Sequence, residues 1–234
     1  MTSRAVAGTP RTRTTRSPGW VPFALLALVV VPAVAGSLRL VELGGGPHLR
    51  PPDTGMSASP LPVVVHIVSA LGYCVLGAFQ FSAALRRRRP GWHRASGRVL
   101  VLLGLAVAVS ALWMTQFYPR QPDSGELAYV LRLAFGSGLA ASILLGFTAV
   151  RRGDVARHRA WMTRAYALAL GAGTQVFTEG IAIGLFGASG LTTDLGLGAG
   201  WVINLSVAEY VIRRHGNRRS TRPRDAGAVA RVGS

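Results

Sequence analysis

The sequence contains no lysine, one cysteine and few acidic residues. All 26 of its basic residues are arginine, against nine Asp and Glu, and charged residues make up 15% of the 234 positions. The single thiol, Cys74, excludes an internal disulfide framework and every zinc site built from several cysteines. Ordinary soluble domains carry about 25% charged residues. With half of its residues hydrophobic, this chain is instead predicted to be an integral membrane protein.

Long hydrophobic runs are frequent. A membrane-spanning helix needs about 20 mostly apolar residues. Six stretches meet this requirement, and they cover residues 20–38, 61–85, 99–117, 127–150, 165–186 and 195–212. These runs are too long for barrel strands and do not alternate in polarity. The sequence therefore predicts an all-α polytopic bundle of six transmembrane spans.

The arginines predict how the bundle is oriented. Of the 26 arginines, 22 lie in the N-terminal tail, the turns 86–98 and 151–164, and the segment from residue 213 onward. Cytoplasmic loops of membrane proteins carry the excess of basic residues. We therefore expect both termini on the cytoplasmic side of a bacterial cytoplasmic membrane. A basic tail, 1–19, precedes the transmembrane domain, 20–213, and a basic, disordered tail, 214–234, follows it.

This distribution also bears on partners. Arginines divided among loops that flank apolar spans indicate topology and contact with anionic lipid headgroups, not nucleic-acid binding. The oligomeric state stays open.

The first span has a second interpretation. Basic residues precede the apolar run 23–31, Pro32 interrupts it, and the sequence Ala33-Val34-Ala35 has the small-x-small form of a signal-peptidase site. Because the apolar run continues to Leu40 and further spans follow, a retained span is favoured.

The turns after the second and fourth spans resemble each other. His93 follows Arg86 by seven residues, and His158 follows Arg151 by seven. Each histidine precedes an arginine and opens the next helix. This spacing predicts that His93 and His158 lie at equal depth on the cytoplasmic side.

The same turns carry a resemblance to a known family. The patterns are HRxxGR at 93–98, RGDxxxHRxWMxRxYAL at 152–168 and WVxNLxxAE at 201–209. Together they resemble the bacterial predicted membrane proteins called domain of unknown function 2306, over about residues 61–214. The resemblance implies a multi-span membrane fold and no established activity.

Polar side chains inside the predicted spans are candidates for function, because they are costly in lipid. His66, Tyr73 and Gln80 share one stripe of the second span. Three further candidates, from the fourth, fifth and sixth spans, are Arg132, Glu179 and Asn204. We expect His66 and these three groups to form an outer-leaflet pocket for a small ligand or a proton, with Glu179 bonded to Arg132 or His66. The alternative is that they only join helices together.

Two further hypotheses concern the cytoplasmic side. A b-type haem needs two imidazoles from different helices, which His93 and His158 can supply, and Arg98 and Arg164 can pair with the propionates. Against haem, both histidines lie at wet loop-to-helix junctions. The third hypothesis is a non-catalytic membrane scaffold or assembly partner.

Remaining patterns point to structure. Glu209 and Arg213 have the i,i+4 spacing of a structural ion pair, and Glu209 can also reach Arg98 or Arg164 on the cytoplasmic side. Gly180 and Gly184 form a GxxxG motif, which is typical of close helix packing. The sequence has no phosphate-binding loop and no His-Glu-x-x-His motif, so it predicts no metal site and favours a non-enzyme without excluding an enzyme.

Overall fold

The computed structural model describes residues 19–47, 59–120 and 124–220. The predicted tails, 1–19 and 214–234, lie largely outside these residues. The described parts form eight α-helices and no strand. The helices are α1 Val21–Leu43, α2 Leu61–Gln80, α3 Ala83–Arg88, α4 Pro90–Phe117, α5 Glu126–Arg151, α6 Val155–Ala169, α7 Gly171–Phe186 and α8 Gly190–Ser220.

Five of these helices are long and apolar enough to cross a membrane. They are α1, α2, α4, α5 and the part of α8 up to Arg214, and the pair α6–α7 makes a sixth if its bent helices form one span. The all-helical prediction is therefore confirmed. Two helices have other bounds than the apolar runs 61–85 and 99–117 predict. Helix α2 ends at Gln80, and α4 already begins at Pro90.

The two arginine-rich turns are tight helix connections. In the first, the Ser82 hydroxyl accepts from the Leu85 amide at 3.3 Å to start α3, and α4 has proline in its first turn. In the second, Gly153 adopts a positive φ of 77°, and Asp154 then caps α6 by accepting from the Arg157 amide at 2.9 Å. Both turns lie at the same end of the bundle, because residues from both line one cavity. We call this the arginine-rich end.

The fifth span, expected to be continuous over 165–186, is broken. Helices α6 and α7 meet at Leu170 and are bent by 47°. Side chains of α8 satisfy carbonyls at the break, because Trp201 Nε1 donates to the Leu168 oxygen at 3.2 Å and Asn204 Nδ2 to the Ala167 oxygen at 3.1 Å. A helix can break inside a membrane where a neighbouring helix supplies such partners.

Gly171 makes this contact sterically possible. A Cβ atom at residue 171 would lie 2.2 Å from Trp201 Nε1. We therefore expect Gly171→Ala to lower the free energy of unfolding by about 1–3 kcal/mol, as overpacking does, in an SDS titration of the protein in mixed micelles. Gly180→Ala is the control, because a Cβ atom there would meet no other part of the described protein within 4 Å. Equal losses in the two variants would contradict this explanation of the break.

Helix α7 packs closely at a different glycine from the two in its GxxxG motif. A Cβ atom on Gly180 or Gly184 would meet nothing within 4 Å, so the GxxxG prediction is wrong within the described residues. Helix α7 packs instead through Gly173, whose Cβ position is 2.1 Å from the Leu28 carbonyl oxygen of α1. That carbonyl is the one that Pro32, four residues later, cannot bond. Pro32 thus lies within a continuous α1, at a site where α7 approaches closely.

Candidate functional site

A cavity of about 780 Å³ opens at the arginine-rich end, between α2, α4, α5, α6 and α8. We call it the His–Arg cavity. Its volume lies within the range of about 300–1,000 Å³ that is typical of small-molecule sites. Its polar wall includes Gln80, Arg86, His93, Arg94, Arg98, Arg151, His158 and Arg159, and its apolar wall includes Leu100, Val101, Ile143, Phe147, Met162 and Ile212.

Two tyrosines form part of the buried wall of the cavity. Tyr73 and Tyr166 are 5% and 4% exposed, with ring centroids 6.0 Å apart. The Tyr166 hydroxyl donates to the Cys74 carbonyl at 2.7 Å, which joins α6 to α2. Gly77 admits the Tyr166 ring, because a Cβ atom there would lie 2.4 Å from ring carbon Cε2. This end of the cavity is therefore well packed and shaped by α2 and α6.

Five arginines give the cavity its charge. Arg94, Arg98, Arg151 and Arg159 are exposed and Arg86 is half-buried, and no Asp or Glu is among the described residues that line the cavity. The guanidinium of Arg151 also lies 5.9 Å from the centre of the Phe147 ring. Clefts lined by charge of one sign concentrate ions of the opposite sign. The cavity thus combines an anion-attracting rim with an apolar interior.

His158 is held in a defined orientation. Its Nδ1 donates to the Gly146 carbonyl oxygen of α5 at 2.8 Å. In a neutral imidazole with the proton on Nδ1, the lone pair is on Nε2. His158 can therefore accept a hydrogen bond or bind a metal through Nε2.

His93 lines the same cavity as His158, from α4. The Nδ1 atom of His93 is buried and has no hydrogen-bond partner in the described protein. Buried ring nitrogens normally have a partner. This nitrogen is therefore the clearest unsatisfied group in the cavity wall.

The three candidate site residues of the second span do not lie at one site. Tyr73 and Gln80 line the His–Arg cavity, and Gln80 Nε2 donates to Ser96 Oγ at 2.7 Å. His66 lies 3.1 Å from Ser110 Oγ through its Nδ1. Ser110 donates its only proton to the carbonyl of Ala106 at 2.6 Å, so the histidine nitrogen is the donor to Ser110. His66 therefore joins α2 to α4.

Among the described residues, no direct bond joins the groups predicted for the outer-leaflet pocket. Glu179 has neither an ion pair with Arg132 within 4.0 Å nor a hydrogen bond to His66, and its backbone packs against Gly196 of α8. Arg132 lines a cleft of only about 30 Å³, which is room for a single water. Asn204 is used at the helix break, where it also accepts from Thr174 Oγ1 at 2.8 Å. These contacts differ from the predicted ones because side chains at the same depth in the membrane can face different neighbouring helices.

Of the partners predicted for Glu209, the structure shows Arg164. Its carboxylate accepts from Arg164 Nε at 2.5 Å and from a second guanidinium nitrogen at 3.1 Å, whereas no ion pair to Arg213 occurs. Arg164 also stacks over Trp161 at 4.7 Å. A bidentate contact between α6 and α8 has better geometry than one along a single helix. Arg164 is therefore occupied and does not line the cavity, whereas Arg98 does.

One important polar residue was missed by the sequence reasoning. Asp194 of α8 is 2% exposed, and its two oxygens accept from the amides of Gly125 and Ala128 at 3.0 and 3.1 Å. These amides lie at the start of α5, where helical N–H groups have no partner within the helix. The only sequence signal is an acidic residue directly before an apolar run. Asp194 thus ties the N-terminus of α5 to α8.

Several helices that are long and apolar enough to cross a membrane define a multi-pass membrane protein. A family model described as "Predicted membrane protein (DUF2306)" matches residues 63–212. The chain belongs to this family, as the three sequence patterns predict. Neither a curated protein nor a solved structure matches the chain.

Proposed function

We propose that this protein binds a small amphipathic anion in the His–Arg cavity. The observation that carries the proposal is the combination of five arginines, two histidines and no described carboxylate around an apolar interior of about 780 Å³. A carboxylate or phosphate group would lie between the guanidinium groups at the rim. The apolar part of the molecule would contact Leu100, Ile143 and Phe147.

Electrostatics and desolvation favour such a ligand over a neutral one. A hydrogen bond to a charged group contributes about 1.5–3 kcal/mol, against roughly 0.5–1.5 kcal/mol for a neutral pair. Burying an alkyl chain adds about 0.8 kcal/mol per CH₂ group. A ligand that is anionic at one end and apolar at the other uses both parts of the cavity.

We place the protein in a bacterial cytoplasmic membrane with both termini and the arginine-rich end in the cytoplasm. The support is the positive-inside rule, applied to the turns 86–98 and 151–164. In this orientation the arginines face the compartment that holds most anionic metabolites and the anionic headgroups of the inner leaflet.

Three probes of twelve carbons each test the proposal. Laurate, dodecyl phosphate and dodecanol differ chiefly in the headgroup, and calorimetry on the full chain in phosphatidylcholine nanodiscs compares them. We expect one saturable, salt-sensitive site for at least one of the two anions and no saturable site for dodecanol. Preference between laurate and dodecyl phosphate identifies the headgroup. Saturable binding of dodecanol with the affinity of the anions, or of none of the three, would overturn the proposal.

A further inference from the structure

The His–Arg cavity has features that a simple anion site does not require. It holds two imidazoles on different helices, His93 on α4 and His158 on α6. Resting on the proposed function, we propose that the amphipathic anion is haem b, bound with His93 and His158 as its two axial ligands. Haem is flat and largely apolar, and it carries two carboxylates.

The setting of His158 is that of a metal ligand. Histidines that bind metals usually donate their other ring N–H to a carbonyl or carboxylate, which fixes the tautomer and the ring plane. His158 does this through Nδ1 and the Gly146 carbonyl. The contact crosses from α6 to α5, so the ring is fixed between two helices and Nε2 keeps its lone pair.

His93 supplies the second imidazole, from a different helix than His158. Its Nδ1 is buried in the described protein, so Nε2 is the ring nitrogen that remains for a ligand in the cavity. With the proton on Nδ1, the lone pair is on Nε2. Unlike His158, His93 has no partner at Nδ1 in the described protein that fixes the plane of its ring.

A bare metal ion is a weaker explanation than haem. No group of three or more His, Cys, Asp or Glu side chains able to hold a metal occurs in the described part of the chain. A zinc site needs three or four protein ligands. Haem brings four ring nitrogens of its own, so two axial imidazoles complete the six positions of the iron.

The remaining walls suit the rest of the molecule. Leu100, Ile143 and Phe147 offer apolar contacts to a macrocycle, and exposed Arg94 and Arg98 lie on the helix that carries His93. Arginine pairs with carboxylates in bidentate geometry. The propionates would therefore point to the rim, with the ring inside the bundle.

Absorption spectroscopy of the full chain, produced in cells supplied with δ-aminolevulinate and then titrated with haemin in nanodiscs, tests the assignment. We expect one haem per chain, with a Soret band and a six-coordinate low-spin spectrum. His93→Ala and His158→Ala should each lose the low-spin spectrum, and added imidazole should restore it. His66→Ala is the matched control, since His66 bonds Ser110 outside the cavity, and it should keep the wild-type spectrum. No Soret shift on titration, or low-spin haem in both alanine variants without imidazole, would overturn the assignment.

Iron-free protoporphyrin IX separates this inference from the proposed function, because it has the carboxylates without the metal. If the wild type binds protoporphyrin IX and haemin equally well, and the histidine variants do not differ from it, the anion cavity stands and the ligation is refuted. If neither porphyrin binds and laurate and dodecyl phosphate also fail, both proposals are refuted.

Discussion

Replacing Arg94 and Arg98 together by glutamine is expected to weaken anion binding in the His–Arg cavity about 100-fold. Both side chains line the cavity from one face of α4, and neither has a carboxylate partner in the described protein. Loss of charge-assisted hydrogen bonds worth about 1.5–3 kcal/mol each corresponds to at least tenfold per arginine. Calorimetry with laurate and dodecyl phosphate in nanodiscs measures the change.

A double variant of equal charge tests whether this effect is local. Arg87 and Arg88 lie on α3, close in sequence, but do not line the cavity. Arg87→Gln with Arg88→Gln removes the same two charges and should change the affinity less than threefold at physiological ionic strength, where the Debye length is about 8 Å. Equal losses in both double variants would mean that the net charge of the protein, and not the cavity, attracts the anion.

Asp194→Ala is expected to cause one of the largest losses of stability of any polar substitution. The change leaves the amides of Gly125 and Ala128 without their acceptor in a site that is 2% exposed. Each buried donor left unsatisfied costs about 1–3 kcal/mol. In an SDS titration of the full chain, the free energy of unfolding should fall by the sum of these two costs.

Asp154→Ala is the comparison. Asp154 caps α6 in the same chemical manner, but it is exposed, so water replaces the lost contact. Loss of an exposed cap costs about 0.5–2 kcal/mol. If the two alanine variants lost equal stability, burial of the Asp194 contacts would not be the reason for their contribution.

The spans were predictable because length and apolarity are local properties of the sequence. Runs such as 127–150 have no soluble alternative, and α5, Glu126–Arg151, follows that run closely. The break of the fifth span was not predictable in this way. Its carbonyl partners, Trp201 and Asn204, come from α8, more than 30 residues further along the chain.

Only part of the candidate site was predictable, because the sequence indicates the depth of a side chain but not the helix that it faces. The repeated spacing of His93 and His158 predicts equal depth, and both residues line one cavity. Depth alone does not predict the partners of His66 and Glu179, because it does not determine which neighbouring helix a side chain faces. His66 faces Ser110 of α4, and the Glu179 backbone packs on Gly196 of α8. Only tertiary packing contains that information.

The central claim is that the two arginine-rich turns lie on one side of the membrane and build one cavity. Side-specific labelling tests it in a Cys74→Ala chain, where single cysteines replace the exposed residues Arg87, Arg152 and Arg120. A membrane-impermeant maleimide is applied to right-side-out and inside-out bacterial vesicles. We expect Arg87→Cys and Arg152→Cys to react only from the cytoplasmic side, and Arg120→Cys only from outside. Reaction of Arg87→Cys and Arg152→Cys from opposite sides would contradict it.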